Sequence, residues 1–346
     1  MHIQREQGIV QRSMGPLWRA ASGDRSQADP RVGMRDRLAA GRYVGQAGFV
    51  PVLVAGASGF VGRRLCPTLV EAGVAVRAMT RRPDRYRGAG TPVRADAADA
   101  ASVRAALEGC EAAYYLVHSL ASADFETKDA AAARVFGRAA AEAGVTRIVY
   151  LGGLGADGDV LSAHLRSRRQ VEALLGEAGA PVTTLRAGII VGHGGISWEI
   201  TRQLVEHLPA MITPRWVRTR TQPIAAADVI RYLVGVLPVP EAAGRVFEIG
   251  GPEVLAYVDM LRRVAALEGR RTPIVPVPLL SPSLSSLWLA LVTDVDVRTG
   301  RSLIDSMINE VVVHDESIRE LVSFEPMDFD AAVLAALGER ARAQRR

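Results

Sequence analysis

The sequence predicts an α/β protein whose core is a doubly wound parallel sheet, and three observations support this. From Phe49 onward, short runs rich in Val, Ile and Leu alternate with helical stretches. The apolar runs are continuous, which indicates strands buried on both faces of a sheet. A glycine-rich segment follows the first run and opens a helix. This is the order of elements in the Rossmann fold, where ligands bind at the carboxyl ends of the strands.

Strand and helix alternate regularly up to Gly192. The strands are predicted at Val52–Ala55, Val74–Met79, Val93–Ala95, Ala112–Val117, Arg147–Leu151 and Val182–Val191. The helices between them are predicted at Phe60–Ala72, Ser102–Glu108, Glu126–Ala143 and His164–Ala178. Residues 48–192 therefore form the predicted Rossmann core.

The pattern is looser after Gly192. Helices are predicted at Ser197–His207, Ala226–Leu237, Tyr257–Ala266 and Arg298–Asn309, and a strand at Val246–Ile249. The Pro-rich run Thr272–Pro282 is expected to be an extended connection, and the apolar run Leu284–Val292 a helix. We interpret residues 193–338 as a smaller mixed α/β substrate region, with one or two strands returning to the core sheet, and 339–346 as a basic tail.

Composition and charge restrict the class of partner. The net charge is +5, but residues 1–50 carry eight Arg against four acidic residues, so most of the excess lies in this segment. We interpret residues 1–47 as a flexible Arg-rich extension and expect no nucleic-acid partner. No run reaches the roughly 18–20 apolar residues that cross a bilayer, and no secretory signal is evident. The two cysteines, Cys66 and Cys110, lie in apolar runs, which favours reduced buried thiols in a cytoplasmic protein.

The segment Val52–Gly62 has the composition of a phosphate-binding turn. Its glycines, Gly56, Gly59 and Gly62, have the spacing G-x-x-G-x-x-G between a strand and a helix. The first permits a tight turn, the second lets the backbone approach a pyrophosphate, and the third lets the helix pack closely. The segment therefore predicts a dinucleotide site, whose members include Ser58, as a hydroxyl donor, Phe60 and Val61.

The end of the second strand favours NADP(H) over NAD(H). A carboxylate at that position would bind the ribose hydroxyls of NAD. Here Thr80 is followed by Arg81 and Arg82, whose guanidinium groups can pair with a 2′-phosphate. A solvated basic loop is the alternative interpretation.

Further cofactor contacts are expected at the ends of the next two strands. Asp96 follows the third strand and is placed to reach the adenine amino group. Leu116, Val117 and His118 end the fourth strand, where they would line the cofactor.

These motifs resemble the atypical extended branch of the short-chain dehydrogenase/reductase superfamily, and within it the NmrA-like and YbjT-like NAD(P)-binding proteins. The motifs that carry the resemblance are GASGFVG, TRRP, YYLVHSL, RIVYLGGLG, TTLRAGIIVG, RTRTQPIAAADV and RVFEIGGPE. The resemblance spans roughly Val52 to Phe329. It implies a Rossmann domain that binds NAD(P)(H), followed by a smaller substrate region.

The chain departs from that superfamily at the catalytic residues. The superfamily places a Ser after the fifth strand and Tyr-x-x-x-Lys on the next helix. Here Gly152 and Gly153 follow the strand, and His164 and Arg168 stand at the Tyr and Lys positions. The only lysine of the chain, Lys128, precedes the fifth strand. Two hypotheses remain: either His164 donates a proton near neutral pH while Arg168 anchors ribose or substrate, or both lie on a partly exposed helix face.

Four residues of the C-terminal region are candidate substrate ligands. Arg218, Arg220 and Gln222 precede Pro223, in the stretch that often faces the substrate in extended members of the superfamily. His193 follows the sixth strand and can line the cleft. A surface loop, with no ligand contact, is the alternative for each of them.

The sequence thus supports three functions in decreasing order. The first is an NADP(H)-dependent oxidoreductase that reduces a small organic acceptor such as a quinone, an enone or a ketone. The second is an NmrA-like NADP(H)-sensing or scaffold protein without turnover, and the third is a sugar-nucleotide epimerase or dehydratase. We expect no metal ion. A homodimer is one hypothesis for the assembly state.

Overall fold

The computed structural model describes residues 50–156, 158–213, 215–276 and 297–345. The predicted N-terminal extension and the apolar run Leu284–Val292 lie outside the described residues. The core is a sheet of seven strands that are all parallel. These strands are β1 (Val52–Ala55), β2 (Val76–Thr80), β3 (Thr91–Arg94), β4 (Ala112–Tyr115), β5 (Arg147–Gly153), β6 (Val182–Ala187) and β11 (Val246–Ile249).

Their order across the sheet is β11-β6-β5-β4-β1-β2-β3. The chain therefore builds the sheet outward from β1 to β3, then returns to the other side of β1 to add β4. The inner strands β1, β4 and β5 are buried, and their alternate residues point to opposite faces of the sheet, whereas the edge strand β3 is mostly exposed. Val52 and Val54 contribute to one core cluster, and Leu53 and Ala55 to the other.

Helices cover both faces of this sheet. One face packs against α1 (Gly62–Glu71) and α6 (Ala226–Val236). The opposite face packs against α2 (Ala100–Leu107), α3 (Phe125–Glu142) and α4 (Ala163–Gly176). The doubly wound Rossmann fold that the sequence predicted is confirmed.

The C-terminal region contains a third cluster of buried apolar residues. Its helices are α5 (Ile196–His207), α7 (Tyr257–Leu267), α8 (Val297–Ser306), α9 (Ile318–Leu321) and α10 (Phe329–Gln344). Pairs of short strands connect them: β7 (Ile190–Val191) with β10 (Ile224–Ala225), β8 (Met211–Thr213) with β13 (Ile274–Pro276), and β9 (Arg220–Thr221) with β12 (Leu255–Ala256). Among the described strands beyond Gly192, β11 is the one that joins the central sheet.

Two predicted boundaries need correction. The strand predicted at Val182–Val191 is divided at Gly188 into β6 and β7, because β7 leaves the central sheet to pair with β10. Residues 339–344, predicted as part of a basic tail, instead continue helix α10. Ion pairs fix this end of the helix, since Arg340 contacts Glu206 and Glu339 contacts Arg64.

The described helices include none with the length and apolar character needed to traverse a bilayer. Cys66 and Cys110 are both free and buried, as predicted. Cys66 packs on α1 in one core cluster and Cys110 in the other, so the two thiols lie on opposite faces of the sheet.

Candidate cofactor and active site

The strand order places a cleft at the carboxyl ends of β1 and β4. These two neighbours belong to the two halves of the sheet, so the connections that follow them run to opposite faces. Ligands of doubly wound sheets bind at such a switch point. The backbone N–H of Leu116 donates to the Ala55 carbonyl at 2.9 Å, which holds the two strand ends together.

The glycine turn has the geometry that its spacing predicted. Gly56 has φ = +88°, a conformation that favours glycine, and the Gly59 N–H donates to the Gly56 carbonyl at 2.9 Å. A Cβ atom at Gly56 would lie 2.8 Å from the Leu116 carbonyl oxygen. The turn therefore packs directly against the end of β4, and both segments face the same cleft.

The start of helix α1 is suited to an anion. No side chain caps its N-terminus, and Ser58 and Gly59 are exposed beside it. A Cβ atom at Gly59 would meet only the Gly56 carbonyl oxygen, at 3.1 Å, so the space in front of Gly59 is open. Uncapped N–H groups at a helix N-terminus bind phosphate. The turn thus fits the pyrophosphate of a dinucleotide.

Phe60 and Val61 connect this turn to the rest of the molecule. Both are partly buried. The Phe60 ring lies under the guanidinium of Arg64, whose Cζ is 4.4 Å from the ring centroid. It also touches the chain at Gly192 and Gly195, where a Cβ atom would lie 3.1 and 2.9 Å from Phe60 Cζ. These contacts place Phe60 in a packing role beneath the turn.

Arg81 and Arg82 follow β2 at the same edge of the sheet. Both are exposed, and neither guanidinium has a hydrogen bond or ion pair with a described residue. Two basic groups are thus free to meet an anion. Asp96 is also exposed after β3, but its Oδ1 accepts a hydrogen bond from the Ala98 N–H at 3.0 Å, so one of its oxygens is occupied by its own turn.

His118, His164 and Arg168 form a cluster beyond the end of β4. His164 and Arg168 are four residues apart on α4 and therefore share one helix face. His118 follows β4, beside Leu116 and Val117, which are partly buried. The charge of Arg168 acts on both imidazoles, and His118 acts on His164. The structure therefore brings two predicted catalytic residues next to one predicted cofactor residue.

The surroundings of the two imidazoles favour their neutral forms by lowering their pKa values. Desolvation by the surrounding protein lowers the pKa of His118 to about 4, and the Arg168 charge lowers it further. Desolvation also lowers the pKa of His164 to about 3, with smaller contributions from the charge of Arg168 and from His118. Both side chains retain some exposure, as expected for groups that line a cleft. The lowered pKa of His164 argues against proton donation by this residue near neutral pH, and its catalytic role stays a prediction.

Arg168 is anchored by its own surroundings. Its Nη2 donates to the Leu151 carbonyl at 2.6 Å, and its Cζ lies 5.1 Å from the centroid of the Tyr150 ring. The Tyr150 hydroxyl donates to the Arg168 carbonyl at 3.1 Å. Its second terminal nitrogen, Nη1, is buried without a hydrogen-bond partner among the described residues. This N–H group is therefore a buried donor without a described acceptor.

Lys128 does not contribute to this cluster. Its Nζ lies 2.9 Å from Asp124 Oδ1 and donates to the Ser122 hydroxyl at 2.7 Å, at the exposed start of α3. Helix α4 contains no Tyr and no Lys.

The four candidate substrate ligands are not gathered in this cluster. Arg220 forms a double hydrogen bond with Glu310 at 2.8 and 2.9 Å on the surface. His193 Nδ1 lies 3.1 Å from Glu199 Oε1. Arg218 is exposed and has no hydrogen bond or ion pair with a described residue.

Gln222 is a structural residue rather than an available ligand. It is buried, its Nε2 donates to the Gly251 carbonyl at 2.7 Å, and its Oε1 accepts from the Val313 N–H at 2.9 Å. Both ends of the amide are therefore occupied by backbone groups. The prediction that Gln222 grips a ligand is corrected on this ground.

One polar group near Arg168 was not predicted from the sequence. It consists of Tyr115 on β4, Ser119 after β4, and Asp129 on α3. A signal was present, because Asp129 has helical spacing with Ala133 and Phe136, which are both buried. An acidic residue on the apolar face of a helix indicates a special role.

The geometry of this cleft agrees with the proteins that the chain resembles. Residues 56–216 match a family model described as NAD(P)H-binding. This segment is an NAD(P)H-binding domain. It begins at the first glycine of the turn and includes Arg81, Arg82 and the cluster around Arg168. The match agrees with the predicted resemblance to the atypical extended short-chain dehydrogenases/reductases, and it shows an NAD(P)H-binding segment within a Rossmann-like fold.

Two curated proteins are similar to this chain in sequence. The (4-alkanoyl-5-oxo-2,5-dihydrofuran-3-yl)methyl phosphate reductase of Streptomyces griseus subsp. griseus is 29% identical over 231 residues, which are 63% of this chain and 74% of that protein. The mitochondrial NADH dehydrogenase (ubiquinone) 1 alpha subcomplex subunit 9 of Dictyostelium discoideum is 26% identical over 223 residues, which are 60% of this chain and 61% of that protein.

A solved structure shows the same fold. The NADPH-dependent quinone oxidoreductase of Escherichia coli, complexed with NADPH, superposes with a TM-score of 0.68 at 20% sequence identity. The superposition covers 82% of this chain and 98% of that one. At this level of identity the likeness establishes the architecture of the NAD(P)H-binding domain and its C-terminal region.

Proposed function

We propose that the chain is an NADP(H)-dependent reductase that transfers a hydride to a small organic acceptor, namely a quinone, an enone or a ketone. The observation that carries this proposal is the shared position of the glycine turn and the Arg168 cluster at one edge of the sheet. A dinucleotide held by the turn would extend along the carboxyl ends of β1 and β4 toward His118 and Arg168.

The preference for NADP(H) is based on Arg81 and Arg82. Both guanidinium groups are exposed and without a described partner, and Thr80 at the end of β2 carries no charge to repel a phosphate. The next acidic residue along the chain is Asp84. Its Oδ2 lies 3.4 Å from Arg94 Nη2, so the two form an ion pair at the surface. Charge-assisted hydrogen bonds to a 2′-phosphate would favour NADPH over NADH.

The remaining cofactor contacts follow from position. Gly56, Ser58, Gly59 and Gly62 would hold the pyrophosphate, with Phe60 and Val61 supporting the turn, and Asp96 would approach the adenine. Leu116, Val117 and His118 would line the nicotinamide side. Bound NADPH supplies the hydride, and the protein contributes the orientation of the acceptor beside it.

Arg168 is the residue suited to the acceptor oxygen. When an acceptor gains a hydride, its carbonyl oxygen becomes negative, and an N–H donor directed at that oxygen stabilises the change. Arg168 would offer its positive charge beside the cleft, on a side chain that the Leu151 carbonyl holds through Nη2. Neutral His118 and His164 can donate or accept hydrogen bonds beside it.

The acceptor class is supported by the named relatives. One is a reductase of a furanone bearing an acyl group, and one structural neighbour is a quinone oxidoreductase. Both kinds of acceptor are conjugated carbonyl compounds, which accept hydride with less demand on acid catalysis than simple ketones. This suits a cleft in which helix α4 provides neither Tyr nor Lys.

The test is NADPH oxidation by the purified chain with matched panels of quinones, acyl-butenolides, enones and ketones. We expect turnover with at least one conjugated acceptor, faster with NADPH than with NADH, and its loss when Gly59 is replaced by Val. Arg104→Ala is the control, because Arg104 lies on α2 and forms an exposed ion pair with Glu142 at the end of α3. Tight NADPH binding without turnover across all panels would contradict the proposal.

The second candidate is a protein that binds NADP(H) without turnover, as a sensor or as a subunit of a larger assembly. The observation that favours it is the similarity to a named subunit of NADH dehydrogenase, together with the absence of Tyr and Lys from α4. Calorimetric titration distinguishes the two versions: a sensor requires different affinities for NADPH and NADP, whereas a scaffold tolerates equal ones.

A further inference from the structure

A buried acid lies behind the Arg168 cluster. Asp129 is 3% exposed on the inward face of α3, and its Oδ1 has no hydrogen-bond partner among the described residues. The described cations form no ion pair with it, although the charge of Arg168 acts on it from a distance. An ionised carboxylate in this environment is unfavourable, because burial removes its hydration, its Oδ1 has no described hydrogen-bond partner and no described cation forms an ion pair with it.

Other polar atoms around Asp129 are also unsatisfied. The Tyr115 hydroxyl and Arg168 Nη1 are buried, and neither has a hydrogen-bond partner in the part of the chain that the structure describes. Tyr115 and Tyr150 are the other titratable groups near Asp129, from β4 and β5, and burial raises the pKa of both. Neither tyrosine can therefore ionise near neutral pH. Arg168 is the positive charge that faces the carboxyl.

Ser119 connects the buried acid to the cleft. It hydrogen-bonds the Asp129 carboxyl through its side chain and its backbone. Ser119 is itself partly exposed and adjoins the exposed His118. Exposure thus increases along the path from Asp129 to Ser119 to His118. Burial raises the pKa of Asp129, whereas Ser119 and Arg168 act in the opposite direction.

We propose that Asp129 is held protonated and delivers its proton through the Ser119 hydroxyl to the acceptor oxygen in the cleft. This rests on the proposed reductase function. The hydride forms a C–H bond at the acceptor carbon while the π electrons of the acceptor move to its oxygen. That oxygen takes a proton from Ser119, Ser119 takes the Asp129 proton, and Asp129 regains one from solvent. Asp129 acts through Ser119, so it is a proton-supplying residue outside direct contact with the substrate.

The proposed reduction needs an acid, and the two imidazoles of the cleft are poorly suited to that role. Reduction of a carbonyl consumes one proton for each hydride, and the neutral His118 and His164 are poor acids at pH 7. Helix α4 provides no tyrosine for the purpose. A protonated carboxyl reached through one hydroxyl supplies the missing acid.

The first test needs no turnover. Infrared spectra of the full chain at neutral pH should show the carbonyl band of a protonated carboxyl that shifts in D2O and disappears in Asp129→Asn. Asp228→Asn is the matched control, because Asp228 is also a buried carboxyl with a raised pKa, and the Asp129 band should survive that change. An unchanged band in Asp129→Asn means that Asp129 is ionised, which overturns the proposal.

The second test measures proton delivery. With a reducible acceptor, Asp129→Asn and Ser119→Ala should lower kcat about 100-fold, alter its pH profile and reduce the solvent isotope effect, while the Kd for NADPH stays unchanged. Asp129→Glu should restore part of the rate. Equal pH profiles in wild type and Asp129→Asn contradict the proposal. If no acceptor is reduced by the wild type, the proposed function fails, and the infrared test still decides the protonation of Asp129.

Discussion

Gly62 lies so close to Gly56 that a Cβ atom at Gly62 would come within 2.3 Å of the Gly56 carbonyl oxygen. The start of helix α1 and the turn before it are therefore in backbone contact. This contact fixes the direction in which the uncapped end of α1 faces the cleft, so it connects the local fold to the phosphate site.

Two substitutions in the turn should have different effects. Gly62→Ala forces this backbone contact apart and is expected to lower the melting temperature by several degrees and to abolish NADPH binding. Gly59→Ala meets only the Gly56 carbonyl oxygen, at 3.1 Å, so we expect a nearly unchanged melting temperature with NADPH affinity lowered by about tenfold or more. Thermal unfolding and calorimetric titration measure both. Equal losses of stability in the two variants would contradict this interpretation of the turn.

Replacement of Arg81 and Arg82 should act on NADPH alone. Each charge-assisted hydrogen bond to a phosphate contributes about 1.5–3 kcal/mol. The double change Arg81→Ala, Arg82→Ala is therefore expected to weaken NADPH binding by about tenfold or more and to leave NADH binding unchanged. Arg87→Ala is the matched control in the same segment, since Arg87 donates to the carbonyls of Asp84 and Tyr86. A parallel loss of affinity for both cofactors would show that these arginines do not bind the 2′-phosphate.

Gln222→Ala should destabilise the protein without a specific effect on a ligand. The change leaves the Gly251 carbonyl and the Val313 N–H without their partners, at a cost of about 1–3 kcal/mol for each buried group. Urea unfolding measures the loss. Gln222→Glu tests the same geometry, because a carboxylate can still accept from Val313 but would face the Gly251 carbonyl without a proton to donate. If Gln222→Ala retained full stability and lost only substrate affinity, the role predicted from sequence would be restored.

The two imidazoles should make the folded state sensitive to acid. Their folded pKa values, about 4 for His118 and about 3 for His164, lie below the ordinary value of 6.5 that applies to the unfolded chain. As the pH falls below 6.5, the unfolded chain binds protons first, so the stability from the neutral imidazoles is complete above this pH and is lost toward the folded values.

Measurements of the free energy of unfolding between pH 6.5 and about pH 3 check this prediction. His164→Gln is expected to show a shallower loss of stability with falling pH than the wild type. His314→Gln is the control, because His314 is exposed on the segment before α9. Equal slopes for the wild type and His164→Gln would show that His164 titrates normally.

The sequence alone determined the Rossmann core and, through the glycine turn, predicted where a cofactor would bind. Continuous apolar runs can be buried only between two layers, and a glycine triplet between strand and helix has few other uses, so these patterns are local and readable. The strand β1 (Val52–Ala55) and the strand β11 (Val246–Ile249) have the predicted bounds. The division of Val182–Val191 and the helical end at 339–344 were missed because partners distant in sequence decide them.

Only the tertiary structure decided the state and role of the polar residues. The pKa of His164 is lowered by burial and by the charges of groups on α4 and after β4, which its residue type alone does not indicate. Gln222 is structural because Gly251 and Val313 reach it from other segments. Asp129 became visible as a buried acid only when α3 was packed against the sheet. Backbone patterns depend on near neighbours in sequence, whereas pKa values and hydrogen-bond satisfaction depend on neighbours in space, which the linear sequence does not list.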